Sequence, residues 1–180
     1  ELMQRFDIDV VAAFCDTIPV VPEKPGWVGE EEGHRRISRL LEESYECYVF
    51  NAVPPANLPP EAMEVVSRRV AHGAGLVLVG VDGPVPEMPE NRLEVLPRFL
   101  EGTVESGAAF AVEKGRGARL PARPEIPFYL GWEVEYDYWQ ERLGAAVLWA
   151  AGREPRVRLD AVAPSGFERR EVGQTVAVRW

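Results

Sequence analysis

The spacing of hydrophobic residues in the first half of the chain alternates between strand-like and helix-like patterns. Runs of β-branched and other apolar residues predict strands over 7–14, 45–53 and 74–80. Between the second and third strands, helix-like spacing predicts a helix that begins at Pro59-Pro60-Glu61 and ends at Gly73. The run over 74–80 is apolar throughout, which is typical of a parallel strand covered on both faces. The pattern therefore indicates a strand–helix–strand unit.

Further helices, loops and a weaker strand are predicted on both sides of this unit. Helix-like spacing covers 34–44 and 137–151, and Asn91 is a candidate N-cap for a helix that ends at Leu100. Prolines and glycines concentrate in 16–33 and 81–91, which predicts two long loops. A weak strand pattern around 108–112 is followed by Gly115-Arg116-Gly117, which we interpret as a turn.

The pattern changes after residue 155. Residues 156–162 and 174–180 alternate polar and apolar positions, as antiparallel strands do. We therefore divide the chain into an α/β domain over 1–155 and a segment over 156–180. The second segment is a β-strand appendage or the start of a truncated β domain. Strand–helix alternation in the first part predicts an open, mostly parallel sheet with helices on both faces.

The first residues predict that this chain is a fragment or a processed chain. The sequence starts at Glu1 without an initiator methionine, and residues 1–5 have a composition typical of a helix interior. They also lack the apolar core of a signal peptide. We therefore expect flanking sequence, including an upstream strand.

Composition and charge narrow the classes of partner. The chain has 180 residues, of which 46% are hydrophobic and 27% are charged, as in ordinary globular domains. Its net charge of −9 argues against binding to nucleic acid or to an anionic membrane surface. No apolar run approaches the roughly 20 residues that a membrane-spanning helix needs. We therefore expect neither a nucleic-acid partner nor a membrane partner.

The cysteines and histidines show no metal-binding pattern. Cys15 and Cys47 lie at strand-like positions and not in a Cys-x-x-Cys pair. We interpret them as free, buried thiols in a reducing compartment and expect a cytoplasmic location; a disulfide and a reactive thiol are the alternatives. His34 and His72 have no partner histidine or cysteine at metal-ligand spacing. We therefore predict no metal and no cofactor.

The segment Gly80-Val81-Asp82-Gly83 follows the most apolar strand. In an open α/β sheet, ligands and catalytic groups lie in the loops just past the carboxyl ends of the strands. Asp82 is therefore a candidate ligand-binding or catalytic carboxylate, and the alternative is a turn residue that hydrogen-bonds to its own backbone. Arg123 and Glu125 are candidates for the same pocket, with a surface ion pair as the alternative.

Aromatic and acidic residues alternate from Trp132 to Trp139. Such a segment suits a sugar-binding surface, with Trp132 as a candidate ligand contact. Glu133, Glu135 and Asp137 also suit a hard cation. The alternative is that the acids lie at the start of a helix while the rings lie in the core or at an oligomer contact.

Taken in order, the elements over 7–153 resemble those of the class I glutamine amidotransferase-like superfamily. The likeness is greatest to its non-amidotransferase branches, which include ThuA-like proteins and the trimerisation domain of some β-galactosidases. It rests on the strand at 45–53, Leu58-Pro59-Pro60-Glu61-Ala62 at a helix start, the strand that follows Ala71-His72-Gly73, and the closing helix from Tyr138-Trp139 to Gly152. The resemblance implies a flavodoxin-like three-layer fold.

The resemblance also implies that catalytic groups have been replaced. Active members carry a cysteine nucleophile in a Gly-x-Cys-x-Gly elbow, where this chain has Asp82. Their His-Pro-Glu segment is matched here by Arg123-Pro124-Glu125. A carboxylate is a far poorer nucleophile towards an amide than a thiolate, and an arginine stays protonated and is no general base. The resemblance therefore argues against glutaminase activity.

Three hypotheses for the function follow from these observations. The first is a catalytically silent amidotransferase-like domain that serves assembly or ligand binding, with a second copy, other domains of the same protein, or a small-molecule or sugar ligand as partner. The second is a carboxylate-dependent hydrolase or carbohydrate-active enzyme that uses Asp82 and Glu125. The third is an oligomerisation module that uses 16–33 and 132–139.

Overall fold

A computed structural model describes residues 3, 6–16, 26–27, 30–86, 88–94, 109–122 and 132–153. The helices in this part are α1 (Glu30–Leu40), α2 (Pro60–Ala71) and α3 (Trp132–Ala150), with a 3₁₀ turn at Pro55–Asn57. The strands are β1 (Cys15–Asp16), β2 (Gly26–Trp27), β3 (Cys47–Asn51), β4 (Gly75–Val79), β5 (Asn91–Arg92), β6 (Ala109–Val112) and β7 (Gly115–Leu120). In these residues, no helix is both long enough and apolar enough to cross a membrane.

The main sheet has five strands in the order β3-β4-β7-β6-β5. Strands β3, β4 and β7 are parallel, whereas β7 with β6 and β6 with β5 are antiparallel. A separate antiparallel pair joins β1 to β2. The chain is therefore of the α/β class, as predicted, with a mixed sheet. The prediction of a mostly parallel sheet missed the β6–β7 hairpin.

The two faces of the sheet are covered by different helices. On β4, Leu76 and Leu78 belong to a cluster with Met63, Val66 and Val70 of α2. Val77 and Val79 point to the opposite face, where they belong to a cluster with Trp139, Leu143, Ala146, Val147 and Ala150 of α3. All of β4 is buried, which explains its unbroken apolar sequence.

Helix α2 has the limits that its sequence predicts. Pro60 occupies the first turn together with Glu61, and the chain leaves the helix through His72 and Gly73. Proline fits the first turn because N–H groups there have no acceptor within the helix, so the lack of an N–H in proline costs no hydrogen bond. The negative charge of Glu61 interacts favourably with the positive end of the helix dipole. Gly73 has a φ of +120°, which glycine adopts readily.

The segment Gly115-Arg116-Gly117 is not a turn, contrary to our prediction, but the start of strand β7. The turn lies just before it, where Glu113 has a φ of +51°. The glycines are required by close packing: a Cβ on Gly115 would lie 2.2 Å from the carbonyl oxygen of Val70. A Cβ on Gly117 would lie 2.3 Å from the ring of Phe110.

Residues 7–14 do not form the predicted strand. Phe6 lies against Gly144 of α3, and Ile8 packs against the cluster on that face of the sheet. Beyond Ile8 the apolar side chains of Val10, Val11 and Phe14 are exposed. The β-branched composition is present, but no described strand pairs with this segment.

Three other predicted boundaries differ from the structure. Asn91 and Arg92 form the short strand β5 and do not begin a helix, while 95–100 lie outside the described residues. Helices α1 and α3 begin at Glu30 and Trp132, earlier than predicted, because their acidic segments form the first turns. The predicted strands in 156–180 lie outside the described residues.

Candidate functional site

The carboxyl ends of the three parallel strands meet at one edge of the sheet. Asn51 of β3 is aligned with Val79 of β4, which is aligned with Leu120 of β7. Two hydrogen bonds continue the alignment past the strands, since Ala52 N–H donates to Val79 O at 2.8 Å and Gly80 N–H donates to Leu120 O at 2.9 Å. The segments that follow these strands therefore start side by side, at the edge where α/β proteins bind ligands.

The segment after β4 carries Asp82 at this edge. Gly80 and Gly83 have φ values of +60° and +84°, which make the sharp turn that the sequence predicts. A Cβ on Gly80 would lie 2.8 Å from the Cβ of Ala122, so the segments after β4 and β7 are in contact. Asp82 is exposed, and within the described part of the chain its carboxylate makes no hydrogen bond or ion pair.

We call residues 80–90 the Asp82 loop; its described residues, 80–86 and 88–90, fold back over the α2 side of the sheet. Val81, Val85 and Met88 are buried in the same cluster as the α2 side chains. Residues 82–84 are exposed at the tip. The loop thus presents Asp82 from a base that belongs to the hydrophobic core.

An ion pair between Arg119 and Glu90 joins the Asp82 loop to strand β7. The Arg119 guanidinium of β7 donates to Val81 O at 3.0 Å and forms an ion pair with Glu90. Glu90 in turn accepts a hydrogen bond from the Val85 N–H at 3.3 Å. The Arg119 guanidinium also lies 5.6 Å from the centre of the Phe110 ring.

Arg119 and Glu90 were not among the site residues predicted from the sequence. The predicted residues Arg123 and Glu125 lie outside the described residues, so their convergence with Asp82 stays a prediction. One signal for Arg119 was present in the sequence, since a charged residue inside an otherwise small and apolar run, Gly117-Ala118-Arg119-Leu120, needs a partner when the run is a central strand.

The aromatic and acidic segment forms the first two turns of α3. Trp132 is half-buried, and its ring lies 6.1 Å from that of Tyr136 in an edge-to-face arrangement. Trp139 is buried in the core, whereas Val134 and Tyr138 are exposed. The rings are therefore divided between core and surface, and Trp139 has no accessible face for a sugar. No metal-ligating group of three His, Cys, Asp or Glu side chains forms among the described residues.

Cys47 lies at the opposite end of the sheet from Asp82. It is the first residue of β3, about 13 Å from the carboxyl end of that strand at 3.3 Å per residue. Burial raises the pKa of its thiol from 9.0 to about 12. The Sγ atom has a weak contact of 3.7 Å with Tyr48 O. The thiol is free, as predicted, and it is not activated as a nucleophile.

We expect Cys47 to react very slowly with alkylating reagents in the folded protein. A pKa of about 12 leaves about one thiolate in ten thousand at pH 8, so alkylation by iodoacetamide in a Cys15→Ser variant should be about a thousandfold slower than for an ordinary thiol. Mass spectrometry of timed samples measures the rate.

The matched control for this experiment is an exposed cysteine in the same fold. A Cys15→Ser/Cys47→Ser/Asp82→Cys variant should react at the ordinary rate. Equal rates for the two variants would contradict the partial burial of Cys47 and the raised pKa of its thiol.

The raised pKa of Cys47 also predicts a pH dependence of stability. Because the folded-state pKa is raised, the stability that the partly buried thiol contributes is complete below about pH 9 and is lost as the pH rises towards 12.

Comparison with protein-family models, with curated proteins and with solved structures finds no match for this chain. The resemblance to the amidotransferase-like superfamily therefore remains a prediction from the order and composition of the elements along the sequence.

Proposed function

We propose that this chain is a catalytically silent, amidotransferase-like α/β domain that serves assembly or ligand binding in a larger protein. The proposal includes a flavodoxin-like three-layer arrangement of its elements. It is supported by the parallel strands β3, β4 and β7, with α2 on one face and α3 on the other. The glycine turn after β4 also supports the proposal, because the superfamily's nucleophile elbow is likewise a glycine-containing turn that follows a strand.

The position of Cys47 is the observation that carries the proposal. Thiol catalysis in this superfamily needs a cysteine in the elbow, where this chain has Asp82. Cys47 lies at the amino end of β3, and its raised pKa keeps it protonated at neutral pH. The Cys47 thiol therefore supplies no thiolate near the turn.

The Asp82 loop has three features that suit a ligand-binding surface. Its tip is exposed, its base is buried, and the carboxylate of Asp82 is available to a ligand because no described group occupies it. A carboxylate suits hydroxyl or amino donors, which fits the sugar or small-molecule ligand in our first hypothesis. The exposed Val134 and Tyr138 on α3 are available for contact with another domain or a second copy.

Ammonia release from glutamine tests the catalytic half of the proposal. We expect no turnover above buffer for the chain and for its Cys15→Ser and Cys47→Ser variants. Turnover that is lost in either cysteine variant would overturn the assignment as a silent domain.

Light scattering and thermal shift test the binding half. We expect a dimer or larger assembly in light scattering, or a rise in melting temperature with a neutral monosaccharide that is absent in Asp82→Asn. A monomer at high concentration whose melting temperature is not raised by any neutral monosaccharide tested would overturn the assignment as an assembly or ligand-binding domain.

A further inference from the structure

We infer that Arg119 and Glu90 form a latch that holds the Asp82 loop on the sheet, so that Asp82 is positioned before any ligand binds. Arg119 is then a positioning residue, because it contacts the loop backbone at Val81 and does not contact Asp82 itself. The value of a fixed Asp82 for binding rests on the proposed function, whereas the latch itself can be tested without a ligand.

The geometry makes the latch a junction of three parts of the chain. The Arg119 Nε atom donates to one Glu90 carboxylate oxygen at 3.3 Å, while its terminal nitrogens reach the other carboxylate oxygen and Val81 O. The guanidinium therefore joins the start of the loop to its end. Through Glu90, the same carboxylate also fixes the Val85 N–H in the middle of the loop.

The side chains of this pair are more buried than those of two other ion pairs in the described part of the chain. The side chains of Arg119 and Glu90 are 23% and 21% exposed. In the pairs Arg35–Glu32 and Arg153–Glu46, the exposed fractions lie between 62% and 70%. Water screens such exposed pairs, so they constrain the chain little, whereas a partly buried, two-pronged pair opposes separation more strongly.

The strand below the loop explains why Arg119 is placed to do this. Ala118 and Leu120 face α3, so Arg119, between them, faces the α2 side, where the loop lies. Gly117 has no side chain, which leaves room for the Phe110 ring, and Arg119 lies over that ring. Opening the loop would separate the ion pair and expose Val81, Val85 and Met88 to water together.

Hydrogen exchange of the full chain tests the latch. In Arg119→Met, we expect the hydrogen-bonded amides of Val85 and Met88 to exchange at least tenfold faster than in the unmodified chain, while amides of β4 and α3 keep their rates. The Val85 amide is the sharpest reporter because it donates to Glu90 itself. Glu90→Ala should produce the same local change, and the double variant should add little to either single variant because the two residues act as one unit.

Arg116→Met is the matched control. Arg116 lies three residues away on the same strand but stacks on Trp149 of α3 on the other face, at 5.7 Å. Arg116→Met should leave exchange in 80–90 unchanged.

Two results would overturn the latch. One is unchanged exchange in 80–90 in both Arg119→Met and Glu90→Ala, and the other is an equal acceleration throughout β4 and α3. If Arg119→Met fails to fold, Glu90→Ala decides between these outcomes. None of these outcomes depends on the ammonia, light-scattering or thermal-shift results, so the latch and the proposed function can fail separately.

Discussion

Replacing Gly115 with alanine should destabilise the protein by about 3 kcal/mol or more, because overpacking against rigid atoms is costly. The added Cβ would lie 2.2 Å from Val70 O and 2.7 Å from Ala74 O. Both are backbone atoms at the end of α2 and just beyond it, so no side chain can rotate away. The end of the helix must move off β7, which also disturbs the buried Val70. Urea denaturation followed by circular dichroism measures the change in the free energy of unfolding.

Gly83→Ala is the control for this substitution. Gly83 lies at the exposed tip of the Asp82 loop, and a Cβ there meets nothing within 4 Å. Its φ of +84° still disfavours alanine, at a cost of about 1 kcal/mol. If Gly115→Ala and Gly83→Ala had the same urea midpoint, α2 would not be seated on β7 as the structure shows.

The elements that the sequence predicted best are those with local signals at both ends. Helix α2 follows prolines and ends before a glycine, and β4 is apolar at every position because it is covered on both faces. These features depend on neighbours along the chain or on complete burial. A single sequence is sufficient to find them.

Strand β7 could not be found in the same way. Its glycines resemble a turn because the reason for them lies elsewhere in the chain, in the carbonyl of Val70 and the ring of Phe110. The same limit applies to 7–14, whose composition favours a strand but which pairs with none in the described structure. Composition indicates what a segment favours, whereas pairing depends on which edge is available.

Only the part of the candidate site that depends on local sequence was predicted. The turn at Gly80 and the position of Asp82 at the carboxyl edge of the sheet were predicted from local glycines and from the rule that ligands bind beyond the carboxyl ends of strands. The partnership of Arg119 with Glu90 spans 29 positions, and no spacing rule links them. Arg123 was the arginine predicted to share a pocket with Asp82, and it lies outside the described residues, whereas Arg119 contacts the loop at Val81 O.

Replacing Arg69 with alanine should destabilise the protein by about 3 kcal/mol. A hydrogen bond from a charged group contributes about 1.5–3 kcal/mol, and the three bonds of Arg69 together contribute less than their sum because they are partly exposed to water. Arg69 lies on α2 and donates to Leu41 O at 2.7 Å, to Glu43 O, and to the Tyr48 hydroxyl at 2.9 Å. The two carbonyls lie just past the end of α1, where helix carbonyls lack partners within the helix. Alanine leaves them and the buried Tyr48 without their donor. Urea denaturation measures the loss.

Arg68→Ala is the matched control, because Arg68 precedes Arg69 on the same helix and its side chain is exposed. It should change the free energy of unfolding by no more than about 0.5 kcal/mol. Arg69→Lys should recover only part of the loss, since a single ammonium group cannot reproduce the planar fork that reaches three acceptors. Equal losses for Arg68→Ala and Arg69→Ala would mean that the effect comes from the helix alone and that Arg69 does not join α1, α2 and β3.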